Sequence, residues 1–536
     1  MTAAMNPPRK ILPIGIESFA NMRKGNFYYV DKTEFAWQLT QEAGRFFLSR
    51  PRRFGKSLFL DTLRELFEGN QALFEGLYIH DKWDWTRRFP VLRFNLGGGI
   101  IASRAELDAC IRETLADNQK RLGVKCTHKS IAGQFSQLIE LAQEKFGEQV
   151  VVLIDEYDKP ILDNILDSET ALAIRDGLKN LYSAIKGADT HIRFVLLTGV
   201  SKFSKVNLFS GINNLRDITL SEQFSAICGY TDADVDTVFA DQLAGLDREQ
   251  IRRWYNGYNW TGTAVYNPFD LLLLFAERKF NAWWCSTGTP TFLFKMMQQQ
   301  GFFTPLLKQM RAGAELISAL DVDLMTPEAL LFQTGYLTIH KSNLTLSGNV
   351  NYTLGYPNQE VEQSLNAGLL AAYTGNAGRA EAHRLRLEDL LASNDLMALR
   401  DLFQSFFASI PHQWYTNNQI AQYEGYYASV FYSYFAALGL NTQVEDATNL
   451  GRIDMTLKGW GRIYLFEFKV VESTPDGRAL QQIKDKGYAD KYRLAGLPIY
   501  LIGVEFSKEQ RNVVGFEVEL IGVDACRPGG AGDQAT

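Results

Sequence analysis

Asp454, Glu467 and Lys469 lie in the stretch GRIDMTLKGWGRIYLFEFK, residues 451–469, and their types suit phosphodiester chemistry. Asp454 sits on one short apolar run, and Glu467 and Lys469 sit two residues apart on the next. The two runs flank a turn signal, Gly459-Trp460-Gly461-Arg462. Strand side chains alternate faces, so Glu467 and Lys469 share one face. If the runs pair about that turn, Asp454 falls opposite Glu467. Two carboxylates and an ammonium then converge. Hard oxygen ligands suit Mg²⁺, and a cation beside the attacking water or the scissile phosphate completes a metal-dependent phosphodiesterase. The plainer reading is an exposed hairpin carrying a salt bridge. Ile463, Leu465, Val470 and Val471 make the second run strongly apolar, and charges in a central strand are costly unless paired or functional.

A second set of residues points to phosphate binding. In FFLSRPRRFGKSLFLDTL, residues 46–63, an apolar run leads into a loop ending Gly55-Lys56-Ser57, and a helical pattern follows. Strand, loop, GKS and helix is the context a phosphate-binding loop requires. The helix N-terminus favours the phosphates, Lys56 reaches the β- and γ-phosphates, and Ser57 holds Mg²⁺. The loop departs from GxxxxGK[ST] at its first position, where Arg50 stands for glycine, and Arg52 and Arg53 make it unusually basic. Its plain alternative is a basic loop before an ordinary helix. The partner motif is QVVVLIDE, residues 149–156, a continuous apolar strand ending in two acids. Asp155 is expected to coordinate Mg²⁺ through water and Glu156 to polarise the hydrolytic water. Thr198 ends a third strand, either as a contact to the γ-phosphate or attacking water or as a simple strand end.

These residues need elements to hold them. Candidate strands at 46–49, 91–96, 150–155, 193–198 and 217–220 alternate with helical stretches at 57–68, 104–121, 130–146 and 170–186. That alternation predicts a parallel sheet covered on both faces, with a nucleotide at the carboxyl ends of its strands. Residues 231–300 read as a helical, aromatic-rich lid. Residues 313–356 read as helix, helix and hairpin, compatible with a winged helix, and 361–409 as helices without a catalytic signal. From about residue 413 the order is α-β-β-β-α-β: a helix at 423–439, a strand at 442–446, the hairpin, a helix at 478–492 and a strand at 498–504. The second of these helices brings Gln482, Lys486 and Tyr488 near the sheet. There Gln482 orients the metal site or a phosphate, or lies on a solvated face.

Composition bounds the rest. The chain has 536 residues, 46% hydrophobic and 22% charged, in the range of globular proteins with two to four domains. A formal charge of −6 excludes a whole-protein basic footprint, so nucleic-acid contact is local or gated. The five cysteines are scattered, with no C-x-x-C pair, so neither a zinc site nor a disulfide framework is indicated. No apolar run is long enough to span a bilayer, and MTAAMNPPRK lacks the apolar core of a signal peptide. A bacterial, cytoplasmic protein is the expectation, with no membrane partner and a disordered tail at RPGGAGDQAT.

Together the motifs resemble a two-domain bacterial family that joins an AAA-ATPase-like domain to a PD-(D/E)XK nuclease-superfamily domain. PIGIESF, YYVDKTEF, FFLSRPRRFGKS, VVVLIDEYDKP, LLTGVSKFS and WYNGY look like the ATPase half. LFQTGYLTI and YPNQEV look like the connecting region. GRIDMTL, YLFEFKV and ALQQIKDKGYADKY look like the nuclease half. The resemblance runs from about residue 11 to about residue 520, and the arginine at position 50 looks like the family's own pattern. It implies an α/β fold class: a P-loop NTPase of AAA-like type with a five-stranded parallel sheet, a helical lid and a region compatible with a winged helix, then a restriction-endonuclease-like α/β domain. The expected boundaries are 11–230 for the ATPase core, 231–300 for the lid, 301–412 for the connecting region and 413–525 for the nuclease-like domain. ATP and Mg²⁺ are the implied cofactors. Arg53, Gly55, Lys56, Ser57, Asp155 and Thr198 would bind nucleotide, with Ser57 and Asp155 on its metal and Glu156 catalytic. Asp454 and Glu467 would hold the nuclease metal, Lys469 would act beside them, and Glu424 would be a further acid. The Pro-Asp of the superfamily name is Ile453-Asp454 here, so only the acid is kept. Implied partners are DNA ahead of RNA, with a homo-oligomer left open. Arg216 is either an arginine finger across a subunit boundary or a structural arginine. The rival functions are a nucleotide-switched DNA- or protein-binding regulator whose nuclease-like fold does not cut, and an ATPase whose C-terminal domain is an oligomerisation platform.

Overall fold

In a computed structural model of the chain, residues 10–42, 44–202, 215–285, 302–314, 326–410 and 424–521 are described, with a few single positions between 293 and 317. The chain divides into two compact units, one of residues 1–289 and 307–361 and the other of 290–306 and 362–536. The division therefore runs through the segment 301–412 that the sequence reading sets apart as a connecting region.

Apolar runs build the sheet of the first unit. Its strands are β1 (Gly44–Ser49), β2 (Val91–Asn95), β3 (Val150–Asp155), β4 (Ile192–Gly199) and β5 (Leu215–Asp217). They are parallel and ordered β2-β3-β4-β1-β5. Every residue of β3 is buried, as a run of Val-Val-Val-Leu-Ile between two helical layers requires. The register pairs Leu48 with Thr198 and Ile154 with Leu197, so the carboxyl ends of β1, β4 and β3 lie side by side. Helices Lys56–Phe67, Arg104–Leu122, Ile131–Phe146 and Ser168–Gly187 cross between the strands. Local chemistry sets their ends: the Ser130 hydroxyl accepts from Gly133 N, and Gly147 at φ 72° closes the same helix.

Helices Asp232–Val238, Arg248–Tyr255 and Pro268–Glu277 follow. Val235, Phe239, Ile251, Leu271 and Phe275 form one core with Tyr28 of the N-terminal segment, so that segment packs with these helices. Beyond it, β6 (Met310–Gly313) joins the hairpin of β7 (Thr338–Leu344) and β8 (Val350–Gly355) in the order β6-β8-β7, with helix Pro327–Thr334 before the hairpin. Most of the stretch expected as the first helix of a winged helix lies outside the described residues.

The second unit carries helices Ala377–Ser393, Leu396–Ser409 and Glu424–Ala437 and a mixed sheet. Its strands are β9 (Asn441–Ala447), β10 (Arg452–Gly459), β11 (Arg462–Val471), β12 (Ile499–Ser507) and β13 (Asn512–Ile521), ordered β13-β12-β11-β10-β9. One face, through Phe466, Phe468 and Phe506, packs on Phe431 of helix Glu424–Ala437. The other, through Ile463, Leu465 and Leu501, packs on Ile483, Tyr488 and Tyr492. The helix expected at 478–492 is shorter, Arg478–Asp485. Gly487 at φ 57° stops it, and a 3-10 turn takes over at Tyr488. Strand β13 is absent from the sequence reading. Among the described residues no helix is long and apolar enough to cross a membrane.

The β10–β11 turn is Trp460-Gly461, with both residues at positive φ, 49° and 71°. A two-residue turn of this kind favours Asn-Gly, and a tryptophan there is strained. Trp460 is partly exposed, so Trp460→Asn is expected to stabilise the second unit by about 1 kcal/mol. The check is its denaturation midpoint, and an unchanged or lowered midpoint counts against the strain.

Candidate functional site

Two clusters stand out, one in each unit. In the second unit, the pairing of β10 with β11 runs from Gly459 and Arg462 to Met455 and Phe466, and Asp454 and Glu467 are the next residues along the two strands. Asp454 Oδ2 accepts from Phe468 N at 2.8 Å, which holds its carboxylate across the strand pair. Glu467 is buried, and its Oε1 faces Lys469 Nζ at 3.5 Å and accepts from Gln482 Nε2. Among the described residues its Oε2 has no hydrogen-bond partner. Burial first, and then the neighbouring Asp454 charge, push the Glu467 carboxyl up to about 8, with Lys469 opposing. Glu467 and Asp454 also push up the Tyr488 hydroxyl, which hydrogen-bonds Gln482; the main cause of that rise is burial.

An orphaned, buried carboxylate oxygen beside a second carboxylate is the donor set a divalent cation suits, so these residues fit Mg²⁺ or Mn²⁺. Among the described residues no group of three or more His, Cys, Asp or Glu is placed to hold a metal. The protein's share here is two carboxylates, in keeping with an ion that keeps several waters. Glu424 opens helix Glu424–Ala437, and its side chain lies outside the described residues. Gln482 reaches Glu467 and Tyr488 is buried beside it, whereas Lys486 is exposed. The solvated face expected for Gln482 is therefore not what the helix presents there.

In the first unit, the loop from Arg50 to Gly55 leaves β1 and opens helix Lys56–Phe67. Gly55 takes φ 90°, which suits glycine, and as N-cap it supplies no side chain to the first-turn amides. The Lys56 ammonium is buried and donates to the carbonyls of Arg50 and Pro51, both at 2.9 Å. Burial lowers its pKa, against the pull of Asp155. Ser57 is half-buried on the next residue. Asp155 ends β3, and its Oδ1 accepts from Thr198 Oγ1 at 2.6 Å and from Glu156 N at 3.0 Å. Glu156 holds φ 51°, and burial, followed by Asp155, raises its carboxyl above the usual range. Gly97, after β2, lies against it: a Cβ there would collide with Glu156 Oε2. Arg52 and Arg53 are exposed, and Arg53 lies 4.2 Å from the centroid of the Phe269 ring. Arg216 is in β5, paired with Glu42 at 2.6 Å. An uncapped helix start, a lysine against its own loop and an acid–hydroxyl pair facing it fit a nucleotide phosphate with its metal.

Residues 13–209 match the family model of a predicted AAA-ATPase, and residues 422–516 match that of the PD-(D/E)XK nuclease superfamily. An uncharacterized protein in the vnfD 5′ region of Azotobacter chroococcum mcd 1 is 59% identical over 515 residues, 96% of this chain and 100% of that relative. The chain belongs to this AAA-ATPase-like, PD-(D/E)XK family. The parallel sheet is the AAA-ATPase-like domain's, and the mixed sheet fits the PD-(D/E)XK domain.

Sequence reasoning missed three residues of these domains. In the PD-(D/E)XK domain, buried Glu505 of β12 accepts from Asp476 N at 2.7 Å and from Gly477 N and Ala479 N at 3.2 Å. It thereby fixes the start of the helix that delivers Gln482. Asp446 of β9 is fully buried and holds Lys491, Tyr492 and Thr456 Oγ1, the last at 3.0 Å. For Glu505 a signal existed: a carboxylate inside the apolar run Ile499–Phe506. In the AAA-ATPase-like domain, Asp158 is buried and accepts from Val200 N, Ser201 N and Ser201 Oγ, which ties the exit of β3 to that of β4. Its signal was the second aspartate of DEYD.

Proposed function

We propose that the protein is an ATP-binding and ATP-hydrolysing switch coupled to a metal-dependent phosphodiesterase that cuts DNA. The observation that carries the second half is the convergence of Asp454, Glu467 and Lys469 around a buried, unpartnered carboxylate oxygen. Asp454 and Glu467 hold the metal, which when bound supplies a nucleophilic water at neutral pH and charge stabilisation at the phosphate. Lys469 steadies the attacking water or the developing phosphate charge. Gln482 holds the Glu467 carboxylate in place. Glu424 is kept as a further acid of this site.

In the nucleotide site Lys56, Gly55 and Arg53 bind the phosphates, Ser57 and Asp155 hold their Mg²⁺, Glu156 polarises the attacking water, and Thr198 contacts it or the γ-phosphate. Residues 11–230 are taken as the ATPase core, 231–300 as its lid, 301–412 as the connecting region and 413–525 as the nuclease-like domain. A net charge of −6 fits a cytoplasmic protein that engages DNA only when switched. One observation favours a second reading, a nucleotide-switched DNA- or protein-binding regulator that does not cut: no group of three potential metal ligands exists among the described residues.

The test is Mg²⁺- or Mn²⁺-dependent cleavage of plasmid and single-stranded DNA, with and without ATP, by wild type, Lys469→Ala and Lys56→Ala. Cleavage lost in Lys469→Ala supports the nuclease, and a changed response to ATP in Lys56→Ala supports coupling. ATP hydrolysis without cleavage under any condition moves the conclusion to the non-cutting regulator.

A further inference from the structure

Arg50 stands where a phosphate loop has its first glycine, and its side chain reaches segment 219–225 and the Trp260 ring. It is fully buried. Nη1 donates to Ser49 O at 2.8 Å and Thr219 O at 2.9 Å, and Nη2 donates to Phe224 O at 3.0 Å. The guanidinium carbon lies 4.1 Å from the centroid of the Trp260 ring. Among the described residues all its hydrogen-bond acceptors are carbonyls. A buried guanidinium hydrogen-bonded to carbonyls and set against a ring is costly even with the Asp217 charge acting on it, and lysine could not reproduce its planar fork.

Other residues of the loop are gripped in the same direction. The Phe54 ring packs edge-on against Tyr258 and Trp260, at 4.8 and 5.5 Å between centroids, and Phe54 O accepts from Gly229 N. Trp284 Nε1 donates to Arg52 O. On another side the loop is held by Gly199 O, which accepts from Arg50 N at 3.1 Å, and by a releasable group. Lys56 donates to the carbonyls of Arg50 and Pro51, and a phosphate competes for that ammonium. Arg50 is thus a single residue whose carbonyl is bound by the phosphate-seeking lysine and whose side chain is bound by segment 219–225 and Trp260.

The geometry points to Arg50 as a positioning residue that ties occupancy of the phosphate loop to segment 219–225 and to the lid at Trp260. This rests on the nucleotide-site reading given above. When Lys56 turns to phosphate, the carbonyls of Arg50 and Pro51 lose their donor, the loop adjusts, and the guanidinium carries the adjustment to the carbonyls of Thr219 and Phe224.

Hydrogen exchange of the full chain tests this with ADP·Mg²⁺ and with a non-hydrolysable ATP analogue as probes. In wild type, nucleotide is expected to slow exchange in peptides covering the loop, residues 219–230 and residues 256–262. In Arg50→Lys the loop peptide stays protected by nucleotide, at affinity weakened about tenfold, while the two remote peptides lose their response. A merely structural arginine would change exchange equally with and without nucleotide. Trp260→Leu, which leaves the hydrogen bonds of Arg50 intact, is expected to abolish the response at 256–262 and keep it at 219–230; it carries the test if Arg50→Lys does not fold. Remote protection retained in both variants overturns the proposal. If wild type shows no nucleotide-dependent protection even at the loop, the nucleotide-site reading falls, and the proposal with it.

Discussion

Asp454→Asn is expected to abolish metal-dependent cleavage and, in metal-free buffer, to raise the melting temperature of the second unit. The two effects have one cause. Glu467 is buried with an unpartnered oxygen and faces a second carboxylate, so the metal-free site is electrostatically strained. Its carboxyl is pushed up to about 8 by burial and then by Asp454. A group whose folded pKa lies above its unfolded value contributes stability that is fully present below the unfolded range, about 4.3, and is lost as pH rises through about 8. Asparagine keeps the acceptor for Phe468 N and removes the charge that opposes Glu467. The variant should therefore gain about 1 kcal/mol at pH 8 and less at pH 6. Cleavage should fall on the order of a thousandfold, because a metal ligand is gone. Mg²⁺ should stabilise wild type, more strongly as pH rises, since binding expels the Glu467 proton, and should leave the variant unmoved. Thermal melts from pH 6 to 9, with and without Mg²⁺, together with plasmid cleavage, check each part. A variant that still cuts, or that melts lower at every pH, rules the arrangement out.

The ends of the molecule's strands were readable where one physical signal acts alone. β3 is Val-Val-Val-Leu-Ile in a doubly covered sheet, and such a run leaves little choice. The two-residue turn at Trp460-Gly461 sets a register, and the register leaves Asp454 and Glu467 as the next residues along the two strands without any tertiary information. What spacing cannot supply is the partner across the fold. Gln482 reads as one polar position on an amphipathic helix; only the packing of that helix on β11 brings it to Glu467. Arg50 reads as a defect in a glycine motif, because its four backbone acceptors include three that lie about 170 residues away in sequence. Strand β13 was missed because its burial is uneven: Val513 and Phe516 are buried while Glu517 is exposed, and neither a clean alternation nor a solid apolar run results. The early end of the helix at Asp485 was signalled by Lys486-Gly487 and overridden by the apolar spacing that continues through Tyr488 and Tyr492.

Glu360→Gln is expected to flatten the pH dependence of the first unit's stability and to leave it more stable than wild type at pH 8. Asp270 and Glu360 are both fully buried and interact, and among the described residues neither Asp270 oxygen nor Glu360 Oε2 has a hydrogen-bond partner, so ionising both is costly. Glu360 Oε1 also accepts from Trp284 N at 2.8 Å. Burial pushes Glu360 up to about 7, and burial followed by the Glu360 charge pushes Asp270 well above the usual carboxylate range. The groups facing the pair do little to relieve it. Arg53 pulls Asp270 down only as a minor influence, and the hydroxyl of Tyr258, which feels both charges, makes no hydrogen bond among the described residues. Each acid lies in the first turn of its helix, Pro268–Glu277 and Gln359–Thr374, and those helix ends favour the ionised form without offsetting the burial. The sign follows: the folded state holds more protons than the unfolded one between about pH 4.5 and 7, so stability falls across that window as pH rises. A shift of that size corresponds to roughly 3 kcal/mol as an upper bound. Glutamine keeps the acceptor for Trp284 N, offers its amide to Asp270, and needs no proton. Melting curves of the first unit's transition at pH 5, 6, 7 and 8 decide the matter. Wild type should lose several degrees across the series and Glu360→Gln almost none, with Asp270→Asn behaving alike. A wild-type curve independent of pH, or a glutamine variant less stable at pH 8, would mean that the pair does not carry an extra proton in the folded state.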